Sequence, residues 1–217
     1  MRKSVLLSTF CLLSICFSAK AQIKATTEKG DTILVFENGT WSHLKKETKP
    51  VANIVSNVKA TVTVDEFTNK KSVQTEIWHR FGQDKLKNTI SGYLRKIDNL
   101  TVFLISYSGD VGCLSKHSST LKVKLSNGDI IEFSQISDTD CGKSPSANFI
   151  PLTKDQLNTP SYNDILIENI ELLKKYDWET IRLQGSKYYT DIMPFTTRGV
   201  DKPEQFFRQH IIASESN

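Results

Sequence analysis

The sequence predicts an α+β fold: a mostly antiparallel β-sheet or sandwich with about two C-terminal helices, preceded by a small β-meander. Short runs of alternating apolar and polar residues recur between polar turns, which is typical of half-buried strands. A helical spacing replaces this alternation only near the C-terminus. Two cysteines, Cys113 and Cys141, enclose the clearest hairpin. Strands that follow one another at such short intervals indicate antiparallel pairing.

The register of the hairpin between the cysteines is selected by its own pattern. Apolar residues alternate with lysines over residues 121–125, and a second apolar run follows an Asn-Gly turn. A two-residue loop is the usual choice for Asn-Gly, but it would set Lys122 opposite Phe133 and mix charge with core on one face. A three-residue loop that ends at Gly128, in the left-handed conformation, sets Lys122 opposite Glu132 instead. We therefore predict the bulged loop.

The N-terminal 21 residues have the three parts of a secretory signal peptide. Arg2 and Lys3 form the positive region, residues 5–17 form the apolar region, and residues 19–21 form an A-x-A cleavage site. The apolar run is shorter than the ~20 residues of a membrane-spanning helix, so we expect no transmembrane segment after cleavage. The mature chain is predicted to begin at Gln22 and to be secreted or periplasmic.

The rest of the chain is predicted to divide into three segments. Residues 22–46 form the β-meander, residues 47–57 form a linker, and residues 58–217 form the α+β main domain. The linker contains Pro50 and loses the strong alternation of its neighbours. The mature length suits one main domain in addition to the meander.

The meander contains the sequence Asn38-Gly39-Thr40-Trp41, an Asn-Gly turn followed by a tryptophan. This motif resembles the N-terminal β-hairpin of many small secreted bacterial proteins of unknown function. The motif's resemblance covers about two dozen residues, the order of elements in the rest of the chain is similar to that of other exported bacterial proteins without assigned function, and the resemblance implies no substrate and no catalytic residue. We interpret Trp41 as the hydrophobic anchor of the hairpin, because an isolated pair of strands needs packing to be stable, with sugar stacking as the alternative.

The main domain is predicted to consist of strands as far as residue 152 and then of helices around two further strands. The segments with strand character are residues 58–64, 72–78, 93–97, 100–105, 121–125, 130–133, 148–152, 178–183 and 187–193. A capping box at Thr153 predicts a short helical turn, and residues 164–176 have apolar spacing at i, i+4 and i+7, as in a helix. A second capping box at Asp201 predicts the start of the last helix, on whose apolar face His210 would lie as a packed core residue.

The charge of the predicted mature chain argues against a nucleic-acid partner. The full sequence has 28 Lys and Arg and 24 Asp and Glu, a net charge of +4. The signal peptide holds three basic residues and no acidic residue, so its removal leaves a net charge of +1. A protein that binds nucleic acid usually has a basic stripe or a strongly basic domain, and this chain has only short basic clusters.

Cys113 and Cys141 are the cysteines that remain after signal cleavage, and they are predicted to form a disulfide in an oxidising compartment. In the chain-entropy model such a bridge stabilises the fold by ~3–4 kcal/mol. The alternative is a metal site in which these cysteines join His117, Asp138 and Asp140. Their spacing does not repeat the established zinc patterns, so we expect the disulfide, and no metal or other cofactor.

Candidate catalytic residues lack a supporting motif. Cys113 or Ser115 could act as a nucleophile with His117 or His79, but a nucleophile needs an adjacent base and a third group that orients the base. The sequence has no G-x-S-x-G elbow and no glycine-rich phosphate loop. We therefore assign no catalytic residue.

Aromatic residues are the candidates for ligand binding. Trp178, Tyr188 and Tyr189 cluster around one turn, and aromatic platforms stack on sugars. The competing interpretation is packing, since aromatic residues in strands usually belong to the core or to cross-strand pairs.

The lack of catalytic motifs favours an exported, non-enzymatic binding or envelope-associated module for an unknown protein or small ligand. The alternatives are a Cys/His metal-binding protein and a hydrolase that uses the loop carboxylates Asp110, Asp138 and Asp140 near the disulfide. A binding module needs a concave apolar or aromatic surface, whereas a hydrolase needs two carboxylates that converge in a cleft.

Mass spectrometry of the exported protein tests both the cleavage site and the disulfide. We expect an N-terminus at Gln22 and alkylation of Cys113 and Cys141 only after reduction, because a disulfide sulfur does not react with the alkylating reagent. Alkylation without prior reduction would contradict the disulfide and would return attention to the thiols beside His117.

Overall fold

The structure is a computed structural model, and it describes residues 23–26, 32–35, 41–43, 55–98 and 100–216. The chain divides into two compact units, Met1–Lys45 and Lys46–Asn217. The predicted signal peptide and most of the predicted linker lie outside the described residues, so both stay predictions. In the described ranges, no helix combines the length and the apolar character needed to cross a membrane.

In its described residues, the N-terminal unit is a three-stranded antiparallel sheet. Its strands are β1 (Ile23–Thr26), β2 (Thr32–Val35) and β3 (Trp41–His43). The central strand β2 pairs with β1 on one edge and with β3 on the other, which confirms the predicted meander. The side chain of Trp41 is not among those described, so its role as an anchor stays a prediction.

The second unit contains the remaining strands and the helices. The strands are β4 (Ala60–Val64), β5 (Lys71–Thr75), β6 (Trp78–Asp84), β7 (Thr89–Ile97), β8 (Leu100–Tyr107), β9 (Cys113–Leu114), β10 (Thr120–Leu125), β11 (Ile130–Gln135), β12 (Asp140–Cys141), β13 (Ser146–Ile150), β14 (Trp178–Gln184) and β15 (Tyr189–Pro194). The helices are α1 (Lys154–Leu157), α2 (Tyr162–Lys175) and α3 (Phe206–Glu215), and α3 follows a 3-10 turn at Pro203–Gln205.

The large sheet of the second unit closes on itself. Strand β7 pairs with β6 along one edge and with β8 along the other, and the sheet continues from β6 to β8 in the order β15, β14, β10, β11, β13. The pairs in this sheet are antiparallel, and the helices lie late in the chain, which confirms the predicted fold class. Strands β4 and β5 form a ribbon that joins the sheet at the far half of β7.

The last helix contributes the largest aromatic side chains to the interior of the closed sheet. Phe206 stacks on Phe81 of β6 with ring centroids 3.9 Å apart. Phe207 packs edge-on against Phe103 of β8 at 5.1 Å, and all four rings are buried. Because Phe81 and Phe103 lie on different strands of the closed sheet, the two α3 rings link β6 and β8 from within the sheet rather than covering it as a surface helix.

A buried arginine ties α3 to the end of α2. The Arg208 guanidinium lies 2.6 Å from the Asp177 carboxylate and donates hydrogen bonds to the carbonyl oxygens of Lys174 and Lys175. The last carbonyl groups of a helix have no partner within the helix, so this arginine supplies hydrogen bonds to two of them.

His210 is a packed core histidine, as predicted. Its Nδ1 atom lies 2.6 Å from the hydroxyl of Thr75, and its ring packs edge-on against Trp78. The imidazole is fully buried, and this burial lowers the pKa of His210 to about 3. The ring is therefore neutral at neutral pH, which suits a structural role.

The hairpin of β10 and β11 has the predicted bulged register. Lys122 lies opposite Glu132 and forms an ion pair with it at 2.8 Å. Leu125 donates its backbone N–H to Asp129, and Gly128 has a φ of 90°. The three-residue loop is confirmed, because it alone keeps the apolar side chains of both strands on the buried face.

The predicted strand over residues 72–78 is wrong, because the structure has two strands there. β5 ends at Thr75 and β6 begins at Trp78. The Thr75 hydroxyl accepts the backbone N–H of Leu94, which replaces a ladder bond of β7 with a side-chain contact. Both strands pair with the same edge of β7, one after the other. The alternating sequence pattern therefore continues across a point where the hydrogen-bond ladder with β7 is interrupted.

The capping box predicted at Thr153 is confirmed, whereas the one predicted at Asp201 is wrong. Thr153 and Gln156 exchange the reciprocal side-chain hydrogen bonds of the motif. At the last helix, a 3-10 turn starts at Pro203, and no side chain caps it. The Pro203 carbonyl accepts the indole N–H of Trp178 at 2.7 Å, so a tertiary contact positions this turn.

Truncation of Phe206 tests the importance of the aromatic interior. We expect Phe206→Ala to lower the free energy of unfolding by about 3–5 kcal/mol, because it removes a stacked, fully buried ring. The matched control is Phe67→Ala, since Phe67 is 96% exposed. Chemical denaturation of the two variants measures the difference, and equal losses would contradict the proposed packing.

Candidate functional site

A bulge in β6 exposes the side chains of His79 and Arg80. The register with β7 shifts between Trp78 and Gly82, so three residues of β6 face one residue of β7. Arg80, in the middle of this bulge, has a φ of 54°, a conformation that side-chain-bearing residues rarely adopt. Its backbone N–H donates to the hydroxyl of Ser91 at 3.0 Å. Bulges and residues held in such conformations cluster at functional sites.

The bulge forms one wall of an open cleft of about 880 Å³ that has a positive lining. Three of the residues that line it are cations, Arg80, Lys87 and Arg198, and the described lining contains no carboxylate. Lys87 lies in the β6–β7 turn, also with a positive φ, and Arg198 lies in the turn closed by the bridge between Thr197 and Val200. In the described part of the chain, none of the three cations forms an ion pair, so they produce a positive potential in the cleft.

Hydroxyl groups line this cleft together with the cations. Thr89, Ser91, Ser108 and Thr197 line it together with His79 and Gln83. The Ser91 hydroxyl accepts the N–H of Arg80, and the Ser108 hydroxyl accepts the N–H of Thr89 at 2.7 Å. A hydroxyl that accepts a hydrogen bond keeps its own O–H to donate. The Ser91 hydroxyl can therefore donate to a ligand, whereas the Thr197 hydroxyl already donates to the carbonyl of His79 and the Thr89 and Ser108 hydroxyls bond each other.

Phe195 provides the apolar part of the cleft. Its ring is partly exposed and lines the cavity, while its backbone N–H donates to the carbonyl of Phe81. Ligand sites generally combine apolar walls with a few placed polar groups and have volumes of roughly 300–1,000 Å³. The cleft has this combination and this size.

Behind the cleft, Asp84 holds the β6–β7 turn in place. Its buried carboxylate accepts hydrogen bonds from the backbone N–H groups of Leu86 and Asn88 and from the hydroxyls of Tyr107 and Thr190. Burial acts to raise the pKa of Asp84, but the hydrogen bonds from Tyr107, Asn88 and Thr190 outweigh it and hold this pKa below its usual value. Burial, together with the hydrogen bond to Asp84, raises the pKa of Tyr107 to about 12. The carboxylate is therefore ionised and fully engaged, as expected of a structural group.

The predicted disulfide between Cys113 and Cys141 is present, and the two cysteines lie opposite each other in the small β9–β12 pair. Because both sulfur atoms belong to the disulfide, neither can act as a thiolate ligand in the alternative metal site or as the alternative cysteine nucleophile. His117 adopts a positive φ and donates its backbone N–H to Gln135. Among the described residues, no group of three or more His, Cys, Asp or Glu side chains is placed to hold a metal.

Near the disulfide, the carboxylates of Asp110 and Asp140 organise their own loops. Asp110 accepts the N–H of Gly112 and the ammonium group of Lys187, and these contacts lower the pKa of Asp110. Asp140 accepts the N–H of Ser146 at 2.8 Å. The backbone carbonyl of Asp138 accepts the side-chain amide of Gln135. Asp side chains commonly stabilise turns in this way, and these contacts supply no support for the hydrolase alternative.

The structure separates the three aromatic residues that cluster in the sequence. Trp178 is buried at the start of β14. Tyr188 and Tyr189 are about half exposed, and Tyr189 lies opposite Gln184 at the other end of that strand. Trp178 therefore belongs to the core and does not join the tyrosines in one platform. The Tyr189 ring lies 4.2 Å from the guanidinium of Arg182, and ligand binding by the two tyrosines stays a prediction.

The sequence patterns did not identify the residues of the basic cleft. They come from the β6 bulge, the start of β7, the end of β8 and the turn after β15, which are far apart in the chain. The available signal was local: His79 and Arg80 interrupt an apolar run between Trp78 and Phe81. Such an interruption marks a bulge only when the partner strand is known.

Comparison of the chain with protein-family models, with curated proteins and with solved structures gave no match. A functional assignment therefore depends on the geometry of the described residues. The basic cleft is the candidate site, because it combines a strained bulge, cations without counter-ions in its lining, hydroxyl groups and an exposed aromatic ring.

Replacement of Asp84 tests its role in holding the turn behind the cleft. We expect Asp84→Asn to lower the free energy of unfolding by about 1–3 kcal/mol at neutral pH, because an ionised acceptor of several hydrogen bonds is lost. The pKa of Asp84 is lower in the folded state, so this contribution is fully present above the unfolded-state pKa of about 4 and is lost as the pH falls through the folded-state pKa.

Denaturant titrations of the wild type and of Asp84→Asn at several pH values measure this difference. The matched control is Asp98→Asn, since the Asp98 side chain is exposed and its ion pair with Lys70 is long, at 3.9 Å. A stability difference for Asp84→Asn that stays constant down to strongly acidic pH would contradict the role of the ionised carboxylate.

Proposed function

We propose that this protein is an exported, non-enzymatic binding module and that its ligand is an anionic molecule held in the basic cleft. The observation that carries the proposal is the set of three cations, Arg80, Lys87 and Arg198, in a described lining without a carboxylate. Guanidinium groups bind carboxylate, sulfate and phosphate with paired hydrogen bonds, and the neighbouring hydroxyls add single donors. The cleft is thus complementary to negative charge.

The size and the aromatic wall of the cleft favour an acidic oligosaccharide. The volume of about 880 Å³ exceeds the space that a single inorganic anion fills, so a larger molecule uses the site more fully. Phe195 offers an exposed ring to the apolar face of a sugar, while the cations lie within the same cavity. A chain of sugars with carboxylate or sulfate substituents has both features, and such chains are present outside cells.

Export is supported by the N-terminal sequence and by the disulfide. The signal-type segment of residues 1–21 directs a chain out of the cytoplasm, and disulfides persist in oxidising compartments. The non-enzymatic part of the proposal is supported by the state of Asp84. That carboxylate belongs to the strand and turn that supply Gln83 and Lys87 to the cleft, but it accepts hydrogen bonds from four residues, so its oxygens are engaged within the protein rather than directed at a substrate.

Direct binding measurements on the exported full chain test the proposal. We expect sulfated dextran oligosaccharides and oligogalacturonate to bind, neutral dextran not to bind, and the affinity to fall as salt is added. Arg80→Gln and Arg198→Gln should each weaken binding by about tenfold, the equivalent of ~1.4 kcal/mol. The matched control is Arg95→Gln, because Arg95 is exposed on the half of β7 that pairs with β5. Calorimetric titration measures these affinities, and equal binding of neutral dextran, or an equal loss in Arg95→Gln, would contradict the proposed site.

A further substitution at the bulge separates binding from folding. Arg80→Gly removes the charge but suits the left-handed backbone, so we expect the weakened binding without a loss of thermal stability. A variant that binds poorly because it unfolds would instead show a lower melting temperature.

A further inference from the structure

Strand β4 has an edge that no other described strand covers. It is the terminal strand of the large sheet and pairs only with β5 in the described part of the chain. Four of its five residues are exposed, including Val62 at 40% and Val64 at 57%. An exposed edge presents unpaired N–H and C=O groups and is a template for another strand.

The sequence of β4 lacks the devices that usually protect such an edge. Natural edge strands carry charges, proline or a bulge. Residues 60–64 read Ala-Thr-Val-Thr-Val, with no charge and no proline, and their register with β5 is continuous over all five pairs. Threonine and valine are strong strand formers, so this edge is well suited to pairing.

The hydrogen bonds at both ends of β4 show which peptide groups face outward. The Lys59 carbonyl accepts the N–H of Glu76, and the Asp65 N–H donates to the carbonyl of Lys70. Peptide groups alternate between the two edges of an antiparallel strand, so the odd-numbered residues of β4 face β5. The N–H and C=O groups of Ala60, Val62 and Val64 therefore point away from the sheet.

A second copy of the same strand fits this edge. When two β4 strands are antiparallel about a twofold axis at Val62, that residue lies opposite its own copy, and Ala60 lies opposite Val64 of the other copy. All outward peptide groups of these residues then pair, giving about six hydrogen bonds. In this register Lys59 lies opposite Asp65 of the other copy at both ends, so the charges are complementary. A shift along the strand loses hydrogen bonds and separates these charges.

The side chains are also compatible with this pairing. Val62 lies opposite the buried Val73 of β5, so the valines of β4 are on the same face of the ribbon as Val73, although they themselves stay exposed. Pairing of two copies brings the Val62 side chains together on that face and leaves Thr61 and Thr63 on the other. The contact is isologous and closes after two copies.

We propose that two copies of this protein form a homodimer through antiparallel pairing of their β4 edges about Val62. This contact makes one continuous four-stranded ribbon from two β4–β5 pairs. It does not use a residue of the basic cleft, so it stands or falls independently of the proposed ligand.

Sedimentation analysis of the exported full chain over a range of concentrations tests this inference. We expect a dimer for the wild type and a monomer for Val62→Lys and for Val62→Asp, because like charges would face each other at the twofold axis. An equimolar mixture of the two variants should form a heterodimer, since the introduced lysine then lies opposite the introduced aspartate. Ile130→Lys is the matched control, because Ile130 is an exposed apolar residue of β11, and it should remain a dimer.

Three results would overturn the inference. A wild type that stays monomeric at every concentration would exclude the dimer. Unchanged dimers in both Val62 variants would place the contact on another surface. Monomers in the mixture of Val62→Lys and Val62→Asp, with each variant folded by circular dichroism, would exclude the twofold register at Val62.

Discussion

The stacking of Phe206 on Phe81 inside the closed sheet is the contact on which the candidate site depends. Phe81 is the last residue of the β6 bulge, and its ring points inward to meet α3. Since the bulge places three residues opposite one, His79 and Arg80 lie outside the regular ladder and line the cleft. Gly92 on β7 leaves the necessary space, because a Cβ atom there would lie 2.6 Å from the Leu104 carbonyl oxygen and 3.2 Å from the Phe206 ring. Core packing and the exposure of a cation are therefore consequences of the same local geometry.

The positive character of the cleft arises from the placement of charged side chains rather than from the net charge of the chain. On the outer faces of β10, β11, β14 and β15, cations are matched by acids, as in the pairs Lys122–Glu132, Lys124–Glu179 and Arg182–Asp191. Exposed pairs of this kind contribute little to stability, but they cancel the local potential. The cations of the cleft have no such partners in the described lining, so a chain whose predicted mature form is nearly neutral presents a basic concavity. Composition therefore excludes a basic domain without excluding a basic site.

The features that the sequence predicted correctly depend on short-range patterns. The alternation around Lys122 and Glu132 was sufficient for the hairpin register, and two cysteines in a chain predicted to be exported were sufficient for the disulfide. The closed sheet, the bulge and the cleft could not be predicted in the same way, because they depend on pairing between distant strands such as β6 and β15. Arg208 illustrates the limit: an arginine in an apolar helix is readily noticed, but its partners at the end of α2 are set by tertiary packing.

One edge of strand β7 supports both the basic cleft and the exposed edge of β4. Its first half pairs with β6, whose bulge forms the cleft, and its second half pairs with β5, which carries the exposed strand β4. Thr75 marks the division, because its hydroxyl accepts the Leu94 amide and contacts the buried His210 of α3. Because the Thr75 hydroxyl takes up the Leu94 N–H, the ladder is interrupted without leaving this N–H unpaired. A buried N–H without a partner would cost about 1–3 kcal/mol. Strand β7, which packs against α3 at Gly92, thus supports both surfaces.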